Sequence, residues 1–262
     1  VVLSFTNAKP LRTPQFVGMD QYVKLLGDDQ FKYALLTCLI YVVVCVPLLT
    51  ILPLLLALLV EKTIPGIALF RTTFYFPVIA SVVVVALIWS WLFDSKGIIN
   101  QTLLFMGIAD KPVAFLVDRW WLLACAILLT VWKGVGYYMV VYLAALGNVG
   151  KDLHEAAMLD GAGSFRRFLS VTIPSVRGSM LLISVLIAVA AMRIFTELDV
   201  LSHHTGGPGG YDMSIVMLIR QAGSGLNGNL GYAAAVSVVL FLLTLIPLVG
   251  IALLSREKKA KS

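Results

Sequence analysis

The sequence predicts an all-α polytopic membrane protein, with five complete transmembrane helices preceded by the end of a truncated first one. Three observations carry that prediction. Of 262 residues, 60% are hydrophobic and only 13% are charged, and the mean hydropathy is +0.94. A water-soluble domain carries roughly 25% charged residues. A chain this apolar cannot hide its surface in a core of its own, so the bilayer must serve as its solvent. Long runs with little or no charge recur along it. None of them alternates with period two, and a spanning strand needs no more than about 11 residues, so the runs are helices.

Val1-Val2-Leu3-Ser4-Phe5-Thr6 reads as the outer end of an earlier span, which would make six spans in all. A cleaved signal peptide is the rival reading, and no charged stretch supports it. The complete spans follow at 34–60, 72–93, 120–146, 178–200 and 231–254. The first, second and fifth are uncharged, the third carries Lys133, and the fourth is apolar as far as Arg193. Each can cross about 30 Å of hydrocarbon with some tilt. Cys38, Cys45 and Cys125 all fall inside these spans, where they read as small buried hydrophobes rather than a disulfide framework.

Charge sets the orientation. Glu61–Arg71, Gly147–Arg177 and Ser255–Ser262 share one side and hold ten Lys and Arg, among them Arg256, Lys258, Lys259 and Lys261. The longer segments on the other side hold eight. The denser side is expected to be cytoplasmic, and the C-terminus with it. Trp120 and Trp121, beside Arg119, fit an outer interfacial anchor. The formal charge of +6 comes with no basic stripe interleaved with aromatics, so no nucleic-acid partner is expected. The outer loops are 5–30, 94–118 and 202–229. The last contains Gly206-Gly207-Pro208-Gly209-Gly210, which forces turns.

One polar passage interrupts the apolar pattern: Glu155-Ala156-Ala157, three residues, Gly161, nine residues, then Val171-x-Ile173-Pro174. Residues 151–168 read as a short pair of surface helices. Leu153, Ala156, Ala157 and Leu159 form an apolar stripe beside Asp152, Glu155 and Asp160. Gly161 and Gly163 interrupt the helix, and Pro174 opens the next span. Ala156 and Ala157 let another protein approach closely, and Gly161 permits a sharp turn.

That spacing resembles the EAA loop of permease subunits in bacterial ABC importers, with Val171 and Ile173 in place of the usual Ile and Leu. It lies about 100 residues from the C-terminus, as in that family. Phe16-Val17-Gly18-Met19-Asp20-Gln21-Tyr22, Phe76-Pro77 and Thr205-Gly206-Gly207-Pro208-Gly209 resemble the carbohydrate-uptake class, which includes the maltose and glycerol-phosphate permeases. The resemblance runs over essentially the whole chain. It implies a single permease domain over 1–262 of the type I ABC importer fold, with a cytoplasmic coupling loop at about 147–177, in a bacterial inner membrane. It further implies a second, different permease chain, two cytoplasmic ATPase subunits that carry ATP and Mg, and an external binding protein that delivers a sugar or sugar-like solute such as an oligosaccharide, a disaccharide or a polyol phosphate. Glu155 would meet a basic residue of the ATPase, and Ala156, Ala157 and Gly161 would pack in its cleft, with Gly163 and Pro174 framing the loop.

This chain has no Gly-x-x-x-x-Gly-Lys-Ser/Thr phosphate loop, so it is not the motor, and it is expected to bind no cofactor itself. No catalytic constellation stands out. His203 and His204 lack further ligands at metal spacing and read as a solvated loop, while His154 reads as a contact within the coupling loop.

Substrate is expected along Trp132-Lys133-Gly134-Val135-Gly136-Tyr137-Tyr138. An ionisable residue at bilayer depth faces a cavity, a partner or, by snorkelling, the interface. Aromatic rings stack on sugars, and glycines allow close approach. The resemblance places Gly134 and Tyr137 on the sugar path, and Trp132, Lys133 and Tyr138 are grouped with them. Ile187, Ala191 and Ile194 match positions that are polar in maltose-type relatives, which argues against maltose itself. Arg193, Glu197 and Asp199 read as interfacial charge or as an anion-attracting vestibule. The alternative class is an ion-coupled secondary carrier, which predicts inverted repeats and broken helices with mid-membrane carboxylates. Neither is legible here. A membrane-embedded enzyme lacks candidate groups.

Overall fold

A computed structural model describes the backbone of residues 1–61 and 65–259, and their side chains other than those of Lys151, His154 and residues 251–259. The readings made for Lys62, His154 and the C-terminal basic cluster lie outside the described side chains. The described residues form helices and turns, with one isolated antiparallel bridge between Thr6 and Phe16.

After a 3-10 turn at Val2–Phe5, α1 (Asp20–Gly27) leads into α2 (Asp29–Val60). Asp28 caps α2, its carboxylate accepting from the Gln30 amide at 2.9 Å. Pro47 and Pro53 lie inside α2, where a missing amide is tolerated once neighbouring helices cover the freed carbonyls. Arg71 caps the other end. Its guanidinium donates to the Val60 carbonyl at 2.6 Å and to the Glu61 carbonyl at 3.3 Å.

The second apolar run is not one helix. It divides into α3 (Ile67–Ile79) and α4 (Val82–Phe93), because Ala80 and Ser81 are extended. α5 (Ile98–Phe105) and α6 (Arg119–Leu146) follow. Asp118 caps α6 by accepting from the Trp120 and Trp121 amides at 3.0 and 3.2 Å. α7 (Lys151–Leu159) and α8 (Ser164–Arg167) form the polar passage, and a π turn at Phe168–Thr172 joins α8 to α9 (Ile173–Met192). Pro174 stands in the first turn of α9 and so opens that helix, as expected. A membrane-length helical run extends from Ser164 to Met192, and the widened turn accommodates the proline's missing donor.

The fourth run is also broken, since α9 ends at Met192 and α10 (Thr196–Leu201) restarts after Phe195, which has φ −143 and ψ −65. α11 (Ile215–Gly223) and α12 (Leu230–Lys259) complete the chain. Among the described residues, five candidate spans are long and apolar enough to cross a bilayer.

The core runs where α2 packs on α6 and α9, with Tyr41, Leu54, Leu129, Met139, Tyr142 and Ile183 fully buried. Glycine lets α6 meet α3 backbone to backbone: a Cβ on Gly136 would stand 2.0 Å from the Phe74 carbonyl oxygen. Outward faces stay apolar, with Ile79, Trp91 and Phe241 exposed, as expected of helices solvated by lipid. The three cysteines are buried and free.

Candidate functional site

Two regions carry the features expected of function. The first is a cavity of about 390 Å3 between α2, α6, α9 and the break that precedes α10. Lys133, Gly134 and Tyr138 line it from α6, and Val82 lines it from the start of α4. The second helix break lines it directly, with Arg193, Ile194, Phe195, Thr196 and Glu197 as one wall, and the first adjoins it through Val82. Irregular backbone at membrane depth is tolerated only where it faces protein or a wet cavity, so the two breaks and the cavity belong together. The half-helices α4 and α10 that follow the two breaks pack on each other.

The expected substrate residues divide. Trp132 and Tyr137 do not line the cavity. Trp132 is exposed and packs on Trp89 with ring centroids 5.6 Å apart, and Tyr137 is exposed and sits edge-on to Tyr138. The face of an α6 turn explains this, because adjacent residues point about 100° apart. Lys133 lines the cavity with its donors already engaged. Its ammonium donates to the carbonyls of Pro77 (3.0 Å), Val78 (3.1 Å) and Ala80 (2.7 Å). It therefore does not snorkel. Ile187, Ala191 and Ile194 do line the cavity and leave that wall apolar.

The outer charges also divide. Arg193 and Glu197 face the cavity, but Asp199 is buried elsewhere. Its carboxylate accepts from Arg220 at 3.0 Å and lies 2.7 Å from His204 Nδ1. His204 is thus tied to a buried carboxylate rather than merely solvated, and both histidines adopt positive φ (51 and 65). Sequence reasoning did not single out Arg220, which lies 21 residues from its partner. A second buried acid was also missed. Asp212 is fully buried under the Gly206–Gly210 loop, 3.3 Å from Arg119 Nε, without the alignment of a hydrogen bond. Burial lifts its carboxyl from 3.8 to about 6, although Arg119 pulls the other way. No cluster of metal-ligating side chains occurs among the described residues.

The second region is the knuckle of α7 and α8. α7 packs lightly, on α8 and the π turn. Gly161 turns the chain in the left-handed region (φ 73), and Gly163 precedes α8 at its N-cap. Glu155 and Ala156 are exposed and Ala157 is half-buried. Leu153, Met158, Leu159 and Phe165 project outward at 55, 50, 89 and 74% exposure. These side chains form an exposed apolar patch on a polar loop.

Residues 28–259 match the family model described as the binding-protein-dependent transport system inner membrane component. The chain belongs to that permease family. The lactose transport system permease protein LacF of Rhizobium radiobacter is 31% identical to it over 230 residues, 87% of this chain and 77% of LacF. The xylose/arabinose import permease protein XacH of Haloferax volcanii is 32% identical over 246 residues, 93% of this chain and 76% of XacH. Among solved structures, a bacterial ABC transporter that imports the acidic polysaccharide alginate superposes with a TM-score of 0.81 at 24% identity, covering 92% of this chain and 84% of that one. The alginate transporter in complex with its alginate-pentasaccharide-bound periplasmic protein gives 0.73 at 26% identity, over 88% and 81%. The fold is that of ABC importer permeases, in a multi-pass membrane subunit. The permease has the broken helices that sequence reasoning did not find, so their supposed absence no longer counts against an ion-coupled carrier. The family match does.

Proposed function

We propose that this permease forms half of the import pathway for a sugar or sugar-like solute, and that α7–α8 couples it to a separate ATPase. The observation that carries the coupling role is the knuckle itself. Glu155, Ala156 and Gly161 stand on a projecting turn whose apolar side chains meet no other part of the core. A partner's cleft would cover Leu159 and Phe165, and Glu155 would offer its carboxylate to a basic residue there. ATP and Mg would sit on that partner, and a second permease would complete the pathway. The knuckle and the C-terminus would face the cytoplasm, with the external binding protein docking on the opposite side.

The relatives' sugars make carbohydrate the favoured class. The cavity's composition suits it: apolar walls for a ring face, with Tyr138, Glu197 and Arg193 as polar partners for hydroxyls.

The test is a cysteine at Ala156, where the three native cysteines, all buried, do not compete for reagent. In membranes holding the whole importer, a short cross-linker from that position is expected to capture a nucleotide-hydrolysing subunit. Persistent failure to capture one, with the cysteine shown to be labelled, would remove the coupling role. Copurified binding protein, analysed for its ligand, would name the solute.

A further inference from the structure

Lys133 is the one charged residue in the middle of α6, and its environment is specific. α3 ends two residues before α4 begins, so its last carbonyls have no helical partner. Lipid offers them no donor. Lys133 satisfies three with the three donors an ammonium possesses, to Pro77, Val78 and Ala80 at 2.7–3.1 Å. One turn further on, Gly136 brings the backbones of α6 and α3 into direct contact. The seam is thus fixed at two adjacent points, one by packing and one by charge.

The consequences reach the cavity. The capped end leads directly into Ala80-Ser81 and then Val82, which lines the cavity. α4 beyond it supports α10, which carries Glu197 on the same cavity wall. The carbonyls occupy the donors of Lys133, and Glu197 is the carboxylate lining the same cavity.

We propose that Lys133 is a positioning residue for transport: it pins the broken end of α3 to α6, and so sets the elbow that aims α4 and α10 at the cavity. It acts on the solute only through that wall, since no donor is left for a ligand. The transport side of this inference rests on the permease reading above; the geometric side does not.

The experiment uses the assembled importer in nanodiscs, with two readouts. Spin labels at Leu69 and Trp91, both exposed, flank the elbow; labels at Val43 and Leu59 report on α2 as a control. Lys133→Met is expected to broaden the Leu69–Trp91 distance distribution and leave the α2 pair unchanged. Stimulation of ATP hydrolysis by loaded binding protein should fall about tenfold, within the range for substitutions that weaken coupling between sites. Lys133→Arg, which keeps charge and donors, should restore both. The inference is overturned if Lys133→Met leaves the elbow distance unchanged, or if stimulation stays within about twofold of the parent. It is equally overturned if both label pairs broaden together and Lys133→Arg rescues neither, because that is general unfolding. If the parent complex shows no stimulation by any binding protein, the permease reading fails, while the label distances still decide whether the pin exists.

Discussion

Asp212 illustrates how a single side chain sets a condition on stability. It is fully buried beneath a glycine loop so tight that a Cβ on Gly207 would stand 2.5 Å from its Oδ2. Burial raises its carboxyl to about 6 from an ordinary 3.8. A raised acid binds its proton more tightly in the folded state, so folding gains as pH falls through that interval and loses as pH rises through about 6. The permease should therefore melt at a higher temperature at pH 5 than at pH 7, as read by thermal unfolding in detergent. Asp212→Asn should flatten that part of the profile. A profile that keeps the same slope in the variant would assign the effect to another group. Asp199 differs, because Arg220 and His204 reach it directly. In the sequence Asp199 reads as interfacial charge or as part of an anion-attracting vestibule and Asp212 does not stand out, since partners at long separation leave no local pattern.

At the scale of the element, Gly161 is the position that shapes the knuckle. Its φ of 73 is a conformation that other residues adopt at a cost of about 1–2 kcal/mol. No atom lies within 4 Å of where its Cβ would be, so a larger side chain fits without a clash. Gly161→Arg should then insert and fold near normally, yet block the knuckle from its cleft. The expected outcome is wild-type abundance in the membrane with uptake abolished; normal uptake would remove the coupling role. The broken spans show the opposite limit of sequence reading. Residues 72–93 and 178–200 are continuous in hydropathy, and hydropathy responds to lipid exposure rather than to backbone hydrogen bonding. What marks the first break is Lys133, distant in sequence, which satisfies the carbonyls that the break exposes. Arg71 does the same for the end of α2.

Across the whole molecule, the lipid-facing surface and the knuckle are both apolar and exposed, and only their surroundings distinguish them. Val84 on α4 and Leu159 on α7 make the contrast measurable. Val84→Lys places a charge in a span at a cost of about 2.5–3.5 kcal/mol on insertion scales, if that site is near the bilayer centre. It should lower the amount of protein inserted, as read by membrane fractionation. Leu159→Lys should leave insertion unchanged and weaken capture of the ATPase at the knuckle. Equal insertion of both variants would mean that α4 is shielded from lipid.

Composition and hydropathy by themselves determined that this chain lives in a bilayer as a bundle of helices. The Glu155-to-Pro174 spacing marked the polar passage at which we propose that a partner engages it, because such local properties need no knowledge of neighbours. The tertiary structure alone decided that two spans are broken, that one break lines a cavity and the other adjoins it, and that Trp132 and Tyr137 stand outside it. The physical reason is that helix breaks, buried carboxylates and cavities depend on which distant groups satisfy a carbonyl or a charge. In a medium without water, that choice is made between helices rather than along them.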